Sequence, residues 1–331
     1  MTSSVKKTAA AASASLSKVP PLWKWGIGAS AVAVASAVYN AARARQAEAG
    51  NPPLGKFLEV AGLRLHYLER GEGPPVVLFH GNGTMIEDML ASGLLDELAQ
   101  TNRVIAFDRP GFGHSDRPRS VIWTPAAQAR LFAEALQQLN VGAATIVGHS
   151  FGTMVAAALA LDHAALVSRL VLIGGYYYPT LRVDAAMAAP AAIPVIGDAI
   201  RYTVSPLLGA AMKPVAERQM FAPAAVSSGW RTSFPFEMTL RPSQVRASSA
   251  EAAMMVPAAA SMASRLGELE MPVAIIAGKG DKIVDPEAQS VRLHAELAHS
   301  ELILVEGAGH MVHHTATETV AKAVRKVSAG S

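Results

Sequence analysis

The chain has 331 residues, of which 51% are hydrophobic and 17% are charged, and its formal net charge is +3. This composition excludes an intrinsically disordered protein, and the lack of a dense lysine and arginine tract predicts no binding to nucleic acid. Because cysteine is absent, disulfides, thiolate metal sites and cysteine nucleophiles are excluded. A chain of this length buries one large core or two modest ones.

The N-terminal segment, 1–50, is interpreted as an arm ahead of the main domain. Its stretch 25–42 carries no charge, has aromatic residues near both ends, and is followed by Arg43 and Arg45. Aromatic residues favour a membrane interface, so we interpret this stretch as a transmembrane or membrane-anchor helix. A signal peptide and a helix packed on the domain are the alternatives. The heavier positive charge before the stretch predicts a main domain outside the cytoplasm, with a soluble cytoplasmic protein as the alternative.

Beyond the arm, short apolar segments alternate with helical patterns. The segments with strand character are 57–60, 63–68, 76–79, 104–107, 143–147, 170–173, 273–277 and 302–305. Continuous apolar strands between helices are typical of a parallel sheet that is covered on both faces. The sequence therefore predicts an α/β fold with an eight-stranded, mostly parallel sheet, and sites at the carboxyl ends of the strands.

The pattern changes at 176–270, where proline, methionine and alanine accumulate and no strand is apparent. We interpret this region as an inserted helical cap on a core formed by 51–175 and 271–331. Tyr176 and Tyr177, at the start of the insertion, are candidate substrate-pocket residues or parts of a packed hinge. A methionine-rich cover suits an adaptable apolar pocket, and a cap that fills its own core is the alternative.

Ser150 is the central residue of a Gly-x-Ser-x-Gly pattern between the apolar segment 143–147 and an alanine-rich helical run. On such a tight strand-to-helix turn only small residues fit, and Gly148 and Gly152 supply the room. The turn directs the serine hydroxyl above the sheet edge and the N–H of Phe151 toward developing negative charge. A serine at a helix N-cap between two packing glycines is the alternative.

Asp281 and His310 each follow another apolar strand, so their loops are expected to open on the same sheet edge as Ser150. A serine nucleophile needs a histidine to accept its proton, and the histidine needs a carboxylate on its other nitrogen. The chain order Ser, Asp, His is one of the known arrangements of such a triad. Asp285 is the rival carboxylate, although its position before Pro286 is more typical of a helix start.

With these motifs together, the chain resembles serine hydrolases of the α/β-hydrolase fold that carry a helical cap, over about residues 56–328. The segments that carry the resemblance are 80–83, 108–118, 148–152, 278–281 and 307–310. The resemblance implies that Ser150 is the nucleophile, that His310 is the general base and then acid, and that Asp281 orients the histidine.

The resemblance also implies an oxyanion hole made by the backbone N–H groups of Asn82 and Phe151. Because epoxide hydrolases and haloalkane dehalogenases of this fold use aspartate at the elbow, Ser150 argues against both. We expect hydrolysis of a carboxylic ester of an apolar small molecule through an acyl-serine intermediate, with no metal and no organic cofactor. The alternatives are a C–C bond hydrolase, a lactonase, a cofactor-free perhydrolase or, in another class, a small-ligand receptor.

Several other polar residues lie near these motifs, and we assign them structural roles. His80 is expected to hold the shape of its loop, and His149 to pack in the core. His313 and His314 are expected to be exposed or packed on a loop. Arg109 is expected to line the entrance of the site or to pair with a carboxylate.

Overall fold

The computed structural model describes residues 22–181 and 187–329, with side chains for 30–181 and 187–326. Within these residues a single sheet contains β1 Lys56–Val60, β2 Leu63–Arg70, β3 Pro75–Phe79, β4 Arg103–Phe107, β5 Ala144–His149, β6 Val167–Ile173, β7 Val273–Gly278 and β8 Ser300–Val305. The strand order is β1-β2-β4-β3-β5-β6-β7-β8. Strand β2 runs antiparallel to both of its neighbours, and the other pairs are parallel. The predicted eight-stranded, mostly parallel sheet is confirmed.

Helices cover both faces of the sheet, and for this reason every residue of β5 and β7 is buried. These helices are Ile86–Ala91, Leu94–Leu98, Pro125–Gln138, Phe151–Asp162, Arg292–Glu296, Val312–Thr315 and Thr317–Ala329. Between the sheet and its helices lie two apolar clusters, one including Phe79, Phe132 and Leu159 and the other including Leu78 and Val171. The strand ends that carry the candidate site are thus fixed by a core on either side.

The region between β6 and β7 contains helices and no strand in the part of the chain that the structure describes. Its helical segments are Ala189–Ala192, Ile196–Thr203, Ser205–Phe221, Ser228–Ser233, Phe236–Thr239, Pro242–Ala263 and Leu266–Glu268. The longest, Pro242–Ala263, is called the long cap helix below. Its Met255 and Met262 pack into the same apolar cluster as the core helices, whereas Met187 and Met212 are exposed. Only part of the methionine content therefore forms a core with the sheet.

The helix Leu22–Gly50 contains the stretch 25–42. No helix among the described residues combines the length and apolar character that a bilayer crossing requires, so the transmembrane helix expected here is not supported. The alternative of a helix packed on the domain agrees with the contacts. The amide of Asn40 is almost fully buried and donates to the carbonyls of Tyr202 and Thr203, each at 2.9 Å. The alanine content makes this stretch weakly apolar, and the hydrogen bonds of Asn40 tie it to the helical region between β6 and β7.

Candidate active site

Ser150 lies between β5 and the helix Phe151–Asp162, with φ 51° and ψ −120°. A positive φ is strained for a residue with a side chain, and such strain persists only where the surroundings hold it. The N–H of Ser150 donates to the carbonyl of Ile173 at 2.9 Å, and its carbonyl accepts from the hydroxyl of Thr153 at 2.6 Å. Neighbouring strand and helix therefore fix the serine in this conformation.

The two glycines of the pattern permit close backbone contacts around the serine. A Cβ atom on Gly148 would lie 2.4 Å from the carbonyl oxygen of Gly152. On Gly152 it would lie 2.3 Å from the carbonyl oxygen of Phe79, at the end of β3. Either substitution would force backbone atoms apart, so the Gly-x-Ser-x-Gly pattern reflects the packing of the turn against β3.

His310 forms hydrogen bonds with both of the other residues predicted for the triad. Its Nε2 lies 2.9 Å from Oγ of Ser150, and its Nδ1 lies 2.7 Å from Oδ2 of Asp281. With the proton on Nδ1, the imidazole donates to the carboxylate and accepts from the serine hydroxyl. In a catalytic Ser-His-Asp triad, this arrangement lets the imidazole take the serine proton while the carboxylate orients the imidazole. The structure brings the three side chains together, while their catalytic roles stay a prediction.

Asp281 is held in place by the loop that follows β7. Its Oδ1 accepts the N–H groups of Ile283 at 2.8 Å and Val284 at 2.9 Å, which leaves Oδ2 for the histidine. The rival carboxylate Asp285 accepts the N–H of Glu287 at 2.9 Å and caps the segment that begins there. The geometry thus favours Asp281 as the partner of the histidine.

The loop after β3, which contains Asn82, lies against the serine turn. A Cβ atom on Gly81 would be only 3.1 Å from Cβ of Ser150. The side-chain amide of Asn82 donates to the carbonyl of Ser248 in the long cap helix at 3.1 Å. At the other side, the N–H of Phe151 belongs to the first turn of its helix and has no partner within that helix. The oxyanion role of these two N–H groups remains a prediction.

His80 and Arg109 hold this loop in shape. Nδ1 of His80 donates to the carbonyl of Gly81 at 2.8 Å, and Nε2 accepts the N–H of Arg109 at 3.0 Å. Burial, together with the charge of Arg109, lowers the pKa of His80 to about 3. The imidazole is therefore neutral near pH 7, in agreement with the structural role expected for it.

Arg109 connects the loop to the cap. Its guanidinium donates to the carbonyls of His80 at 2.8 Å and Gly81 at 2.9 Å, and to Oε2 of Glu251 at 2.9 Å. The side chains of Arg109 and Glu251 are fully buried, and Glu251 belongs to the long cap helix. Of the two roles expected for Arg109, the structure shows the ion pair with a carboxylate.

Asp88, a buried carboxylate behind the candidate site, was not identified from the sequence. Oδ1 of Asp88 accepts from Nε2 of His313 at 3.0 Å and from Nε2 of His314 at 2.7 Å. Burial raises the pKa of Asp88, but the charges and hydrogen bonds of the two histidines outweigh it and hold the pKa well below its usual range. Both histidines are buried, so of the two placements expected for them, exposed or packed on a loop, exposure is wrong. More than 220 residues separate the partners, and no local pattern signals the contact.

His149 connects this buried group to the candidate site. Its Nε2 lies 3.2 Å from the carbonyl oxygen of His310, and its ring centroid lies 4.2 Å from that of His313. The ligating atoms of Asp88, His149 and His313 lie within 4.8 Å of one another, close enough to be weighed as a metal site. Asp88 and His313 already share a hydrogen bond, which a metal ion would have to break.

The two tyrosines proposed for a substrate pocket have different surroundings. Tyr176 borders a cleft of about 780 Å³ together with Asp281 and Leu181. The side chain of Tyr177 is fully buried in the core, and its backbone N–H donates to Gln289 at 2.7 Å. Both tyrosine side chains are buried, with Tyr176 2% and Tyr177 0% exposed, and of the two only Tyr176 borders this cleft.

Comparison with known proteins places these features in a family. The model of the alpha/beta hydrolase fold family matches residues 74–317. The 2-hydroxymuconate semialdehyde hydrolase of Pseudomonas putida is 37% identical over 124 residues, which are 38% of this chain and 44% of the relative. The haloalkane dehalogenase of Mycobacterium marinum is 30% identical over 201 residues, covering 56% of this chain and 63% of the relative.

The fold is also found in solved structures. A thermophilic esterase from Thermogutta terrifontis superposes with a TM-score of 0.66 at 22% identity, covering 82% of this chain and 97% of the esterase. The chain spans less than half of the length of the Pseudomonas hydrolase it matches. The family model, in contrast, extends from β3 to the last helix. The chain therefore belongs to the alpha/beta hydrolase fold family.

Proposed function

We propose that the protein is a serine hydrolase that cleaves a carboxylic ester of an apolar small molecule through an acyl-serine intermediate. The proposal rests on two hydrogen bonds of His310, one to Oγ of Ser150 and one to the carboxylate of Asp281. We also propose the division into a core, 51–175 and 271–331, and a cap, 176–270.

In the first half of the reaction, Oγ of Ser150 attacks the ester carbonyl carbon while Nε2 of His310 takes the hydroxyl proton. Asp281 stabilises the imidazolium that forms. The carbonyl oxygen becomes an oxyanion, which the N–H groups of Asn82 and Phe151 stabilise, and each such donor contributes about 3–4 kcal/mol. The tetrahedral intermediate then collapses. The C–O bond to the alcohol breaks, the alcohol takes the proton from the histidine, and the acyl group stays on the serine.

In the second half, water replaces the alcohol. His310 takes a proton from the water, whose oxygen attacks the acyl carbon and forms a second oxyanion. When this intermediate collapses, the bond to Oγ of Ser150 breaks and the serine recovers its proton from the histidine. The products are one alcohol and one carboxylic acid, and the enzyme returns to its starting state.

Hydrolysis of a carbon–carbon bond is the second candidate. It is favoured by the 37% identity to a 2-hydroxymuconate semialdehyde hydrolase, and it can use the same three side chains. Dehalogenation is not proposed, in spite of the similarity to a haloalkane dehalogenase, because a serine stands where those enzymes of this fold carry aspartate.

The test compares initial rates on p-nitrophenyl butyrate and octanoate, and on 2-hydroxymuconate semialdehyde, for the wild type and Ser150→Ala. We expect kcat of the variant to be at least about a thousandfold lower, because the nucleophilic hydroxyl of Ser150 is missing. Ser261→Ala is the matched control, since the one hydrogen bond of the Ser261 hydroxyl within the described part of the chain goes to a carbonyl of its own helix. A Ser150→Ala variant with wild-type rates would refute the acyl-serine proposal. A preference for the semialdehyde by kcat/KM would select the second candidate.

A further inference from the structure

Four arginines gather where the long cap helix meets the segment after β4 and the helix Ile196–Thr203. They are Arg117, Arg119, Arg201 and Arg246, called the arginine cluster here. All four line a cavity of about 600 Å³ and, on its other side, a second cavity of about 290 Å³. The cluster is therefore a shared wall between two cavities.

Few carboxylates are available to these arginines. Asp198 accepts from Arg119 at 2.8 and 3.1 Å and also pairs with Arg201, so one carboxylate serves two guanidinium groups. Arg246 donates to the backbone carbonyl of Arg117 and has no carboxylate partner among the described residues. Like charges are thus held close together without full compensation.

Glu251 does not supply the missing charge. Its Oε1 lies 3.8 Å from Arg117, but both of its oxygens already bind Arg109. Burial, together with the charges of Arg109 and Arg246, lowers the pKa of Arg117 to about 10, although Glu251 acts in the opposite direction. The lowering comes mainly from burial, and the two neighbouring arginines add to it.

The remaining acids that line the larger cavity have arginines of their own. Glu48 lies 2.9 Å from Arg241, and Asp116 lies 4.0 Å from Arg64. Both pairs are outside the arginine cluster. The cluster therefore keeps an excess of more than one positive charge toward the cavities.

Guanidinium groups bind phosphate and carboxylate through paired N–H donors. A surplus of more than one charge favours a phosphate dianion over a single carboxylate. The smaller cavity adds an apolar wall, formed by Val121, Ile122, Trp123, Pro194 and Met254. Ile122 is 74% exposed there, so it offers apolar surface that a ligand could cover.

We propose that the arginine cluster binds the phosphate group of an amphiphile whose apolar chain lies along Ile122, Trp123 and Met254. The phosphate is carried by a free alkyl or acyl phosphate or by a lipid headgroup. Along the long cap helix, Ser248 and Glu251 face the candidate active site, whereas Arg246 and Met254 lie on the other side of the helix. The proposed site is separate from the triad, and it does not depend on the reaction proposed above.

The test is calorimetric titration of the full-length protein with dodecyl phosphate below its micellar concentration, and with inorganic phosphate. We expect dodecyl phosphate to bind more tightly than inorganic phosphate, and Arg246→Gln to weaken both by at least about tenfold. Ile122→Ser is expected to weaken only dodecyl phosphate. Arg292→Gln, which removes an exposed arginine paired with Glu296 at 3.0 Å, is the control and keeps wild-type affinity.

Thermal unfolding separates a binding role from a structural one. Because the described residues place like charges and no carboxylate beside Arg246, Arg246→Gln is expected to keep or raise the unfolding temperature while it loses phosphate binding. Cosedimentation with phosphatidylcholine vesicles, with and without phosphatidic acid, identifies the source of the phosphate. If the protein sediments with vesicles only when phosphatidic acid and Arg246 are both present, the phosphate belongs to a lipid headgroup. If the protein binds dodecyl phosphate but does not sediment with the vesicles, the ligand is a free phosphate ester. No binding of dodecyl phosphate, or equal affinity in wild type and Arg246→Gln, would overturn the proposal.

Discussion

His149 donates from Nε2 to the backbone carbonyl of His310 at 3.2 Å, so the residue before Ser150 fixes the loop of the proposed base. Burial, reinforced by the nearby charge of His313, lowers the pKa of His149 well below its usual range. The ring is therefore neutral, and its single proton is on the nitrogen that faces the carbonyl. This contact connects the two loops whose separation sets the distance between serine and imidazole.

The contact predicts different outcomes for two substitutions of His149. In His149→Leu the donor is lost, and we expect kcat for ester hydrolysis to fall about tenfold with little change in KM. In His149→Gln an amide N–H replaces Nε2–H, and most of kcat is expected to return. Steady-state kinetics on p-nitrophenyl butyrate measure both. Equal losses in the two variants would show that ring packing, rather than the hydrogen bond, is what matters.

The buried pair of Arg109 and Glu251 makes a prediction about stability. Glu251→Gln leaves the buried guanidinium without its counter-charge, and we expect a loss of about 3–5 kcal/mol in the free energy of unfolding. The double variant Arg109→Met with Glu251→Leu is expected to lose less, because it has no guanidinium at position 109 that needs the counter-charge. Urea unfolding at pH 7 measures the difference. If the loss of stability in the double variant equals the sum of the losses in Arg109→Met alone and Glu251→Leu alone, the two side chains are not coupled as described.

His80 predicts how stability depends on pH. Its pKa in the folded protein is about 3, below the usual value near 6.5, so the unfolded chain binds the extra proton first as pH falls. Above about pH 6.5 the titration of His80 does not lower the free energy of unfolding. Below that pH it lowers the free energy of unfolding by about 1.4 kcal/mol per pH unit, until the folded pKa is reached.

The check is urea unfolding at pH 7, 6 and 5 for wild type and His80→Asn. The variant is expected to be less stable at pH 7 but to have a shallower decrease between pH 6 and pH 5, since it has one titrating group fewer. His299→Asn, at an exposed position, serves as the control and should keep the wild-type slope. If the free energy of unfolding decreased as steeply between pH 6 and pH 5 in His80→Asn as in the wild type, the imidazole of His80 would not be neutral and buried as described.

The contact of Asn40 with the cap predicts how firmly the N-terminal helix is held. Asn40→Ala removes two partly buried hydrogen bonds to the carbonyls of Tyr202 and Thr203. We expect faster trypsin cleavage after Arg43 and Arg45, because the helix opens more often. Val32→Ala, at a position that is 71% exposed on the same helix, is the control. Identical cleavage rates in all three proteins would count against docking through Asn40.

Sequence patterns anticipated the sheet and the contacts of Ser150, Asp281 and His310 for one physical reason. Each of these residues follows a continuous apolar strand, and parallel strands end at a common edge. Continuous apolar runs identify these strands locally, and the topology then brings distant loops together. The predicted preference for Asp281 over Asp285 agrees with the observed hydrogen bonds, since Asp285 caps its own segment.

Other features were beyond sequence reasoning because they depend on how distant elements are oriented. Asp88 meets His313 across 225 residues, and Arg109 meets Glu251 across 142. Neither contact follows from periodicity or spacing. At 25–42 the absence of charge suggested a membrane helix, but hydropathy alone does not reveal that Asn40 finds partners on the cap.

The proposed acyl-serine intermediate is tested most directly by mass spectrometry of the enzyme quenched in acid during turnover of p-nitrophenyl octanoate. The account predicts one octanoyl group on the peptide that contains Ser150. No such adduct should form in Ser150→Ala. An octanoyl group on another residue, or turnover by Ser150→Ala at the wild-type rate, would contradict the account.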